Sequence, residues 1–219
     1  MTPARRLKNI LGGSAGNFVE WFDWFAYSAF AIYFSRAFFP AGDQTAQLLG
    51  AAAIFAVGFI ARPLGALLFG RHADRAGRRA ALTLSVAMMC GGSLMIALSP
   101  AGLGVLSPGW LVVRRLLQGL SVGGEYGASA TYISEMAERT QRGFWSGFLY
   151  VTLTGGQLAA LLLLVLLQRV LTEPQLYAWG WRIPFAVGAA LAVIVWWIRR
   201  GIHETRSFTH ASAPEEERG

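Results

Sequence analysis

The sequence predicts an all-α membrane protein, a polytopic bundle of six transmembrane helices arranged as 3+3 inverted repeats. Three observations carry that prediction. Of the 219 residues, 54% are apolar and only 14% are charged, and mean hydropathy is +0.44. Soluble domains carry about 25% charge, so this chain has too little polar surface to cover a water-facing globule. Second, the charges cluster between apolar stretches near the roughly 20 helical residues that cross a bilayer core of about 30 Å. Third, those stretches are continuous, unlike the roughly ten-residue alternating segments of a membrane β-barrel.

The spans are expected at about 16–38, 46–69, 82–100, 109–134, 144–168 and 180–198. Arg5, Arg6 and Lys8 before the first span imitate a signal peptide. That apolar stretch, however, contains Glu20 and Asp23, runs past twenty residues and has no small-x-small cleavage site. It is expected to be retained. Pro40, Pro100, Pro108 and Pro174 fall near span ends, where a missing N–H is tolerated. The domain organisation expected is a cytoplasmic N-terminus over 1–15, a six-helix bundle over 16–200 and a cytoplasmic tail over 201–219. The tail ends in Glu215, Glu216 and Glu217 and is expected to be disordered.

Lys and Arg fall thirteen on one side of these spans and three on the other (Arg36, Arg169, Arg182), with Arg62, Arg114 and Arg115 inside. The positive-inside rule then puts both termini in the cytoplasm. The net charge of +7 does not describe a nucleic-acid binder, because the arginines flank apolar segments rather than forming a stripe. Cys90 is a single cysteine, and His72, His203 and His210 lack metal-ligand spacing, so no disulfide framework, metal or cofactor is indicated.

A charge near the bilayer centre costs about 2.5–3.5 kcal/mol even on the lenient scale, so the charges inside the spans are the most informative residues. Glu20, Asp23 and Tyr27 are spaced i, i+3, i+7 on one face of the first span, and Arg115, Gln118, Val122 and Glu125 form a similar stripe on the fourth. Gly119, Gly123 and Gly127 repeat a small-xxx-small pattern expected to admit a neighbouring helix closely. Two readings stand side by side. The structural one is that acids and arginines pair to hold the bundle. The functional one is a cavity holding Arg62, Arg115, Asp23 and Glu125 that binds an anion and exchanges a proton. The first and fourth spans each open a triplet, carry an embedded acid and cross in opposite directions, as an inverted repeat with a midplane site requires.

The loop from Gly70 to Arg79 joins spans two and three. Gly70 and Gly77 are expected to turn the chain at the helix ends, and Asp74 to favour the next helix N-terminus or to pair an arginine in one conformation only. The plain alternative is a positive-inside loop. Gly119-Leu-Ser121-Val-Gly123 imitates a hydrolase nucleophile elbow but lies mid-span, with later histidines only in the tail, so no enzyme is expected. Trp21, Trp24, Trp110, Trp179, Trp181, Trp196 and Trp197 are expected to form an interfacial belt. Tyr126, like Tyr27, is kept as a candidate site aromatic.

These residues also carry a family resemblance. Gly70-x-x-x-Asp74-Arg75-x-Gly77-Arg78-Arg79 resembles the signature between helices two and three of the major facilitator superfamily, and Arg115-Leu-Leu-Gln118-Gly119 resembles its fourth-helix arginine motif. Gly16–Asp23, Arg62-Pro-Leu-Gly65, Gln118–Tyr126 and Trp179–Phe185 resemble the metabolite:proton symporter family, with the most detailed match over Ser121–Glu135 and Tyr150–Leu158. The resemblance covers about residues 10–206. It implies half of a twelve-helix fold in the bacterial inner membrane, with a small organic anion and a proton as partners and 2-oxoglutarate as first substrate. Citrate, shikimate and proline or betaine are alternatives.

Carried over by position, Arg62 and Arg115 face the anion, with Tyr27, Tyr126 and Gln157 beside them. Asp23, Glu125 and Glu20 are proton-coupling candidates. Gly70, Asp74, Arg75, Gly77, Arg78 and Arg79 form a conformational latch. Arginine suits the cation role because it stays charged and matches a carboxylate geometrically. Since the family has twelve spans, the chain is expected to be a fragment, or to pair with a separate second half or a second copy. A non-transporting membrane remnant or interaction subunit is the reading from another class.

Overall fold

The structure is a computed structural model that describes residues 3–39, 43–99, 106–136 and 141–201. Its described residues form seven α-helices: α1 (Pro3–Phe38), α2 (Gln44–Ala76), α3 (Arg78–Ala97), α4 (Ser107–Met136), α5 (Arg142–Val170), the short α6 (Glu173–Ala178) and α7 (Ile183–Arg200). A 3-10 turn, Gly180–Arg182, leads into α7. The six long helices coincide with the six expected spans, and all-helical backbone follows from the need to satisfy every N–H and C=O within lipid. Among the described residues, four segments qualify as membrane-crossing by length and composition alone: α2, α3, Gly143–Val170 and Gly180–Arg200. The remaining long helices, α1 and α4, are those that carry the embedded acids. The tail from residue 202 onward, with Pro40 and Pro100, lies outside the described residues.

Local chemistry sets the boundaries. Asp43 caps α2 by accepting from the Ala46 N–H at 2.8 Å. Gly77 alone separates α2 from α3, with φ of 97°, a conformation that a Cβ would strain. Gly70, expected at a helix end, instead lies inside α2. The helix continues because Ala73 and Ala76 favour it and nothing before Gly77 breaks it. Thr172 and Gln175 form a capping box at α6, with Thr172 N–H donating to Gln175 Oε1 at 2.9 Å.

Packing follows a two-fold scheme. Helix α2 packs chiefly along α4 and α1 along α5; α3 packs on α4, α7 on α1, and α3 and α7 on each other. Exchanging α1 with α4, α2 with α5 and α3 with α7 leaves these pairings unchanged, which is the arrangement of two inverted triplets. Glycines permit the closest approaches. A Cβ on Gly119 would collide with the Gly58 carbonyl, one on Gly123 with the Arg62 carbonyl, and one on Gly156 of α5 with the Phe18 carbonyl of α1. Gly127 does not extend this seam: it faces open space.

At one end of the bundle Phe34, Phe38, Leu111, Ile96, Leu176, Trp181 and Phe185 form an aromatic-rich core. At the other, Ile10, Ile133 and Leu149 pack together, and Arg79 donates to the Arg200 carbonyl at 2.7 Å. The start of α1, the α2–α3 turn and the end of α7 therefore share one end. Leu67, Leu68, Leu162, Val165, Leu166, Val193 and Ile194 are exposed on α2, α5 and α7, an apolar exterior suited to lipid. The tryptophans divide. Trp179 and Trp197 are exposed, but Trp24 and Trp181 are buried in the core, because their rings fill aromatic clusters rather than reach an interface.

Candidate functional site

Two ion pairs are sealed inside the bundle. Asp23 of α1 pairs with Arg114 of α4, both essentially inaccessible. Gln118 Nε2 donates to the same carboxylate, Ser93 Oγ of α3 donates to Oδ1 at 2.7 Å, and Arg114 Nε donates to the Gly92 carbonyl at 3.3 Å. The second pair joins Glu125 of α4 to Arg199 of α7. Ser85 donates to Glu125, Ser129 donates to it at 3.0 Å, and Arg199 also donates to the Leu82 carbonyl. A buried charge persists when a partner and further hydrogen bonds compensate it, and both acids meet that condition.

The third acid does not. Glu20 is 1% exposed, yet neither of its carboxylate oxygens has a hydrogen-bond partner. It lines a cavity of about 510 Å³ with Trp21 of α1, Phe59, Arg62, Pro63 and Ala66 of α2, Val122, Gly123 and Tyr126 of α4, and Leu153 of α5. Arg62 Nε and Nη2 are buried and unpartnered as well. Its guanidinium is held by aromatic rings, 4.4 Å from the Trp24 centroid and 4.6 Å from that of Phe59. A cation and an anion without hydrogen-bond partners thus face one apolar-walled chamber.

Arg115 lies deeper. It donates to Gln118 Oε1, and its guanidinium sits 3.8 Å from the Tyr27 centroid, 4.5 Å from Phe55 and 4.6 Å from Trp24. Tyr27 is itself buried and donates to the Ala51 carbonyl at 2.9 Å. Trp24 therefore has Arg62 and Arg115 both against its indole.

The structure does not gather Arg62, Arg115, Asp23 and Glu125 into one chamber. It opens Arg62, Glu20 and Tyr126 onto the cavity, closes Asp23 and Glu125 into ion pairs, and stacks Arg115 behind Trp24. The reason is partner supply: Arg114 and Arg199 reach the two acids before Arg62 or Arg115 can. Tyr126 is 42% exposed and Gln157 half-buried. In the α2–α3 segment, Asp74 and Arg78 form an exposed ion pair at 2.6 Å, and Gly70 and Asp74 of α2, with Arg78 at the start of α3, border a second cavity of about 260 Å³ against α4.

The sequence placed Arg114 inside a span without giving it a role, and Ser85, Ser93 and Arg199 were not singled out. A signal existed for the last. Arg199 continues the series Gly188, Ala192, Val195, all buried, at helical spacing, so it extends the inward stripe of α7 past the expected end of the span at 198. Ser85 and Ser93 likewise sit among the buried positions of α3.

Comparison with known proteins bears on the family. The family model for the sugar (and other) transporters matches residues 10–218. The chain is 54% identical over 203 residues to the alpha-ketoglutarate permease of Escherichia coli (strain K12), covering 92% of this chain and 47% of that protein. It is 37% identical over 201 residues to the citrate-proton symporter of Salmonella typhi, covering 91% and 46%. Among solved structures, the partially occluded inward-open xylose transporter XylE from E. coli aligns with a TM-score of 0.85 at 20% identity, over 97% of this chain and 52% of that one. That likeness establishes the fold. The chain spans about half the length of the curated relatives it matches.

Proposed function

This chain belongs to the sugar (and other) transporter family of the major facilitator superfamily, and from that premise we propose that its bundle is the N-terminal half of a proton-coupled carrier for a small organic acid. 2-Oxoglutarate is the first candidate substrate, supported by the 54% identity to alpha-ketoglutarate permease. Citrate is the next, given the citrate-proton symporter relative. The observation that carries the reading is the chamber itself: Arg62 and Glu20 are buried, unpartnered and face the same space.

In this reading Arg62 takes a carboxylate of the substrate in charge-assisted hydrogen bonds through Nε and Nη2, replacing the water the anion leaves behind. Tyr126 adds a hydroxyl, Arg115 with Tyr27 raises the local positive potential from behind Trp24, and Gln157 of α5 borders the path. Glu20, Asp23 and Glu125 are the acids available to the proton. A second six-helix half, as a separate stretch of chain or a second copy, closes the open side of the chamber. Asp74 and Arg78, with Gly77 as the hinge between α2 and α3, form a latch at the cytoplasmic end, where both termini lie. The protein is a carrier in the bacterial inner membrane, not an enzyme.

The test is uptake of labelled 2-oxoglutarate by vesicles reconstituted with the purified chain. An inwardly directed proton gradient should drive accumulation, and a protonophore should abolish it. Uptake indifferent to the gradient overturns proton coupling, and competition by citrate, shikimate, proline and betaine ranks the substrates.

A further inference from the structure

Arg62 and Glu20 line one chamber with opposite charges and share no hydrogen bond. Both carboxylate oxygens of Glu20, and Nε and Nη2 of Arg62, are buried without a partner, although the two charges are near enough to act on each other. Opposite charges attract strongly in a desolvated space, so something must hold the guanidinium away from the carboxylate. Aromatic rings are in place to do so. The Arg62 guanidinium lies 4.4 Å from the Trp24 centroid, 4.6 Å from that of Phe59 and 5.5 Å from that of Trp21. Trp24 is the nearest of the three and is buried at 3% exposure, whereas Phe59 is 45% exposed. A cation is held most strongly by an indole and where water is excluded, and Trp24 meets both conditions.

The indole is itself immobilised. It meets Phe59 edge-on at 4.8 Å and Phe55 at 4.9 Å, and the Arg115 guanidinium lies 4.6 Å from its centroid. Its Cη2 edge rests on Gly58, where a Cβ would come within 3.1 Å. Trp24 is therefore a fixed platform rather than a side chain that follows the arginine.

Resting on the carrier reading above, we propose that Trp24 is the positioning residue of the anion site, its indole face holding the Arg62 guanidinium off Glu20 while the chamber is empty. A ring compensates the cation through its flat face, whereas the N–H donors lie in the guanidinium plane, so stacking stabilises the charge without consuming a donor. A carboxylate partner would consume them. Without the indole, Arg62 turns to Glu20 and closes an ion pair within the chamber. A substrate carboxylate must then displace a carboxylate already in place, and affinity falls. The contribution of Trp24 thus depends on Glu20 being present, which a role in packing alone does not require.

A double-mutant cycle on the whole chain in detergent micelles tests this, with 2-oxoglutarate binding read by isothermal titration calorimetry. W24L should lower affinity about tenfold, the worth of a desolvated cation–π contact, and W24F, which keeps an aromatic face, should lose less. In an E20Q background the same W24L change should cost less than about twofold. An equal loss in both backgrounds, or no loss in either, overturns the assignment. A second measurement preserves the fold, because fluorinated tryptophans inserted at position 24 keep the ring's shape while draining its negative face. Affinity should then fall stepwise with the number of fluorines, and a flat series also overturns the proposal. If the wild type binds no 2-oxoglutarate, the carrier reading itself falls and takes this inference with it; binding that is indifferent to the ring at position 24 overturns only the role of Trp24.

Discussion

Asp23 and Arg114 form a buried ion pair that ties α1 to α4, the first helices of the two triplets. Its removal from one side leaves the other charge uncompensated. D23N or R114Q alone should lower stability by about 3–5 kcal/mol, whereas an apolar pair such as D23L/R114M should recover much of that loss. Thermal unfolding monitored by size-exclusion of detergent-solubilised protein checks the order. A double variant no better than the singles would show that the carboxylate does more than neutralise the arginine.

Gly123 and Gly127 lie one turn apart on α4 and should respond oppositely to the same change. Ala at 123 must displace the Arg62 backbone and is expected to cost about 1–3 kcal/mol. Ala at 127 meets open space and relieves the helix of a flexible residue, a gain of about 0.5–1 kcal/mol. Melting temperatures of the two variants decide it. Because α2 carries Arg62, G123A should also weaken ligand binding, and G127A should not.

Arg62 is the cation open to the chamber. R62A should reduce 2-oxoglutarate affinity by about 10- to 100-fold, the worth of a charge-assisted hydrogen bond of about 1.5–3 kcal/mol. R62K should recover only part, since a lysine neither forks onto a carboxylate nor stacks on Trp24 as a guanidinium does. Tryptophan quenching gives both numbers, and unchanged affinity in R62A would make this arginine structural.

The orientation is open to chemical labelling. In a C90S background, a cysteine introduced as R71C should react with an impermeant maleimide only in inverted membrane vesicles, and one introduced as W179C only in right-side-out ones. Both parent residues are exposed, at opposite ends of the bundle. The reverse pattern would overturn the cytoplasmic placement of the α2–α3 turn and of both termini.

Much of this was legible without coordinates, because lipid imposes few solutions on a chain. Apolar runs of bilayer length must be helical, so six long helices and the inward faces of α1 and α4 follow from the order of residues. The glycine seam was legible in type but not extent: Gly119 and Gly123 meet α2, while Gly127 lies beyond the contact. Charge pairing was not legible, since any buried acid could pair with any buried arginine that geometry brings within reach.

The order of residues is enough to identify lipid as the solvent, the helices, the family resemblance and the need for acids and arginines to meet inside the bundle, because embedding an unpaired charge is costly. Which of them meet depends on how the helices cross. Arg199, just past the expected end of the last span, turns inward to Glu125, and Arg114 takes Asp23, so Arg62 and Glu20 are left facing the chamber without a hydrogen bond. The physical reason is that a helix's own periodicity fixes which face a residue occupies, whereas the crossing of separate helices fixes which residue it meets.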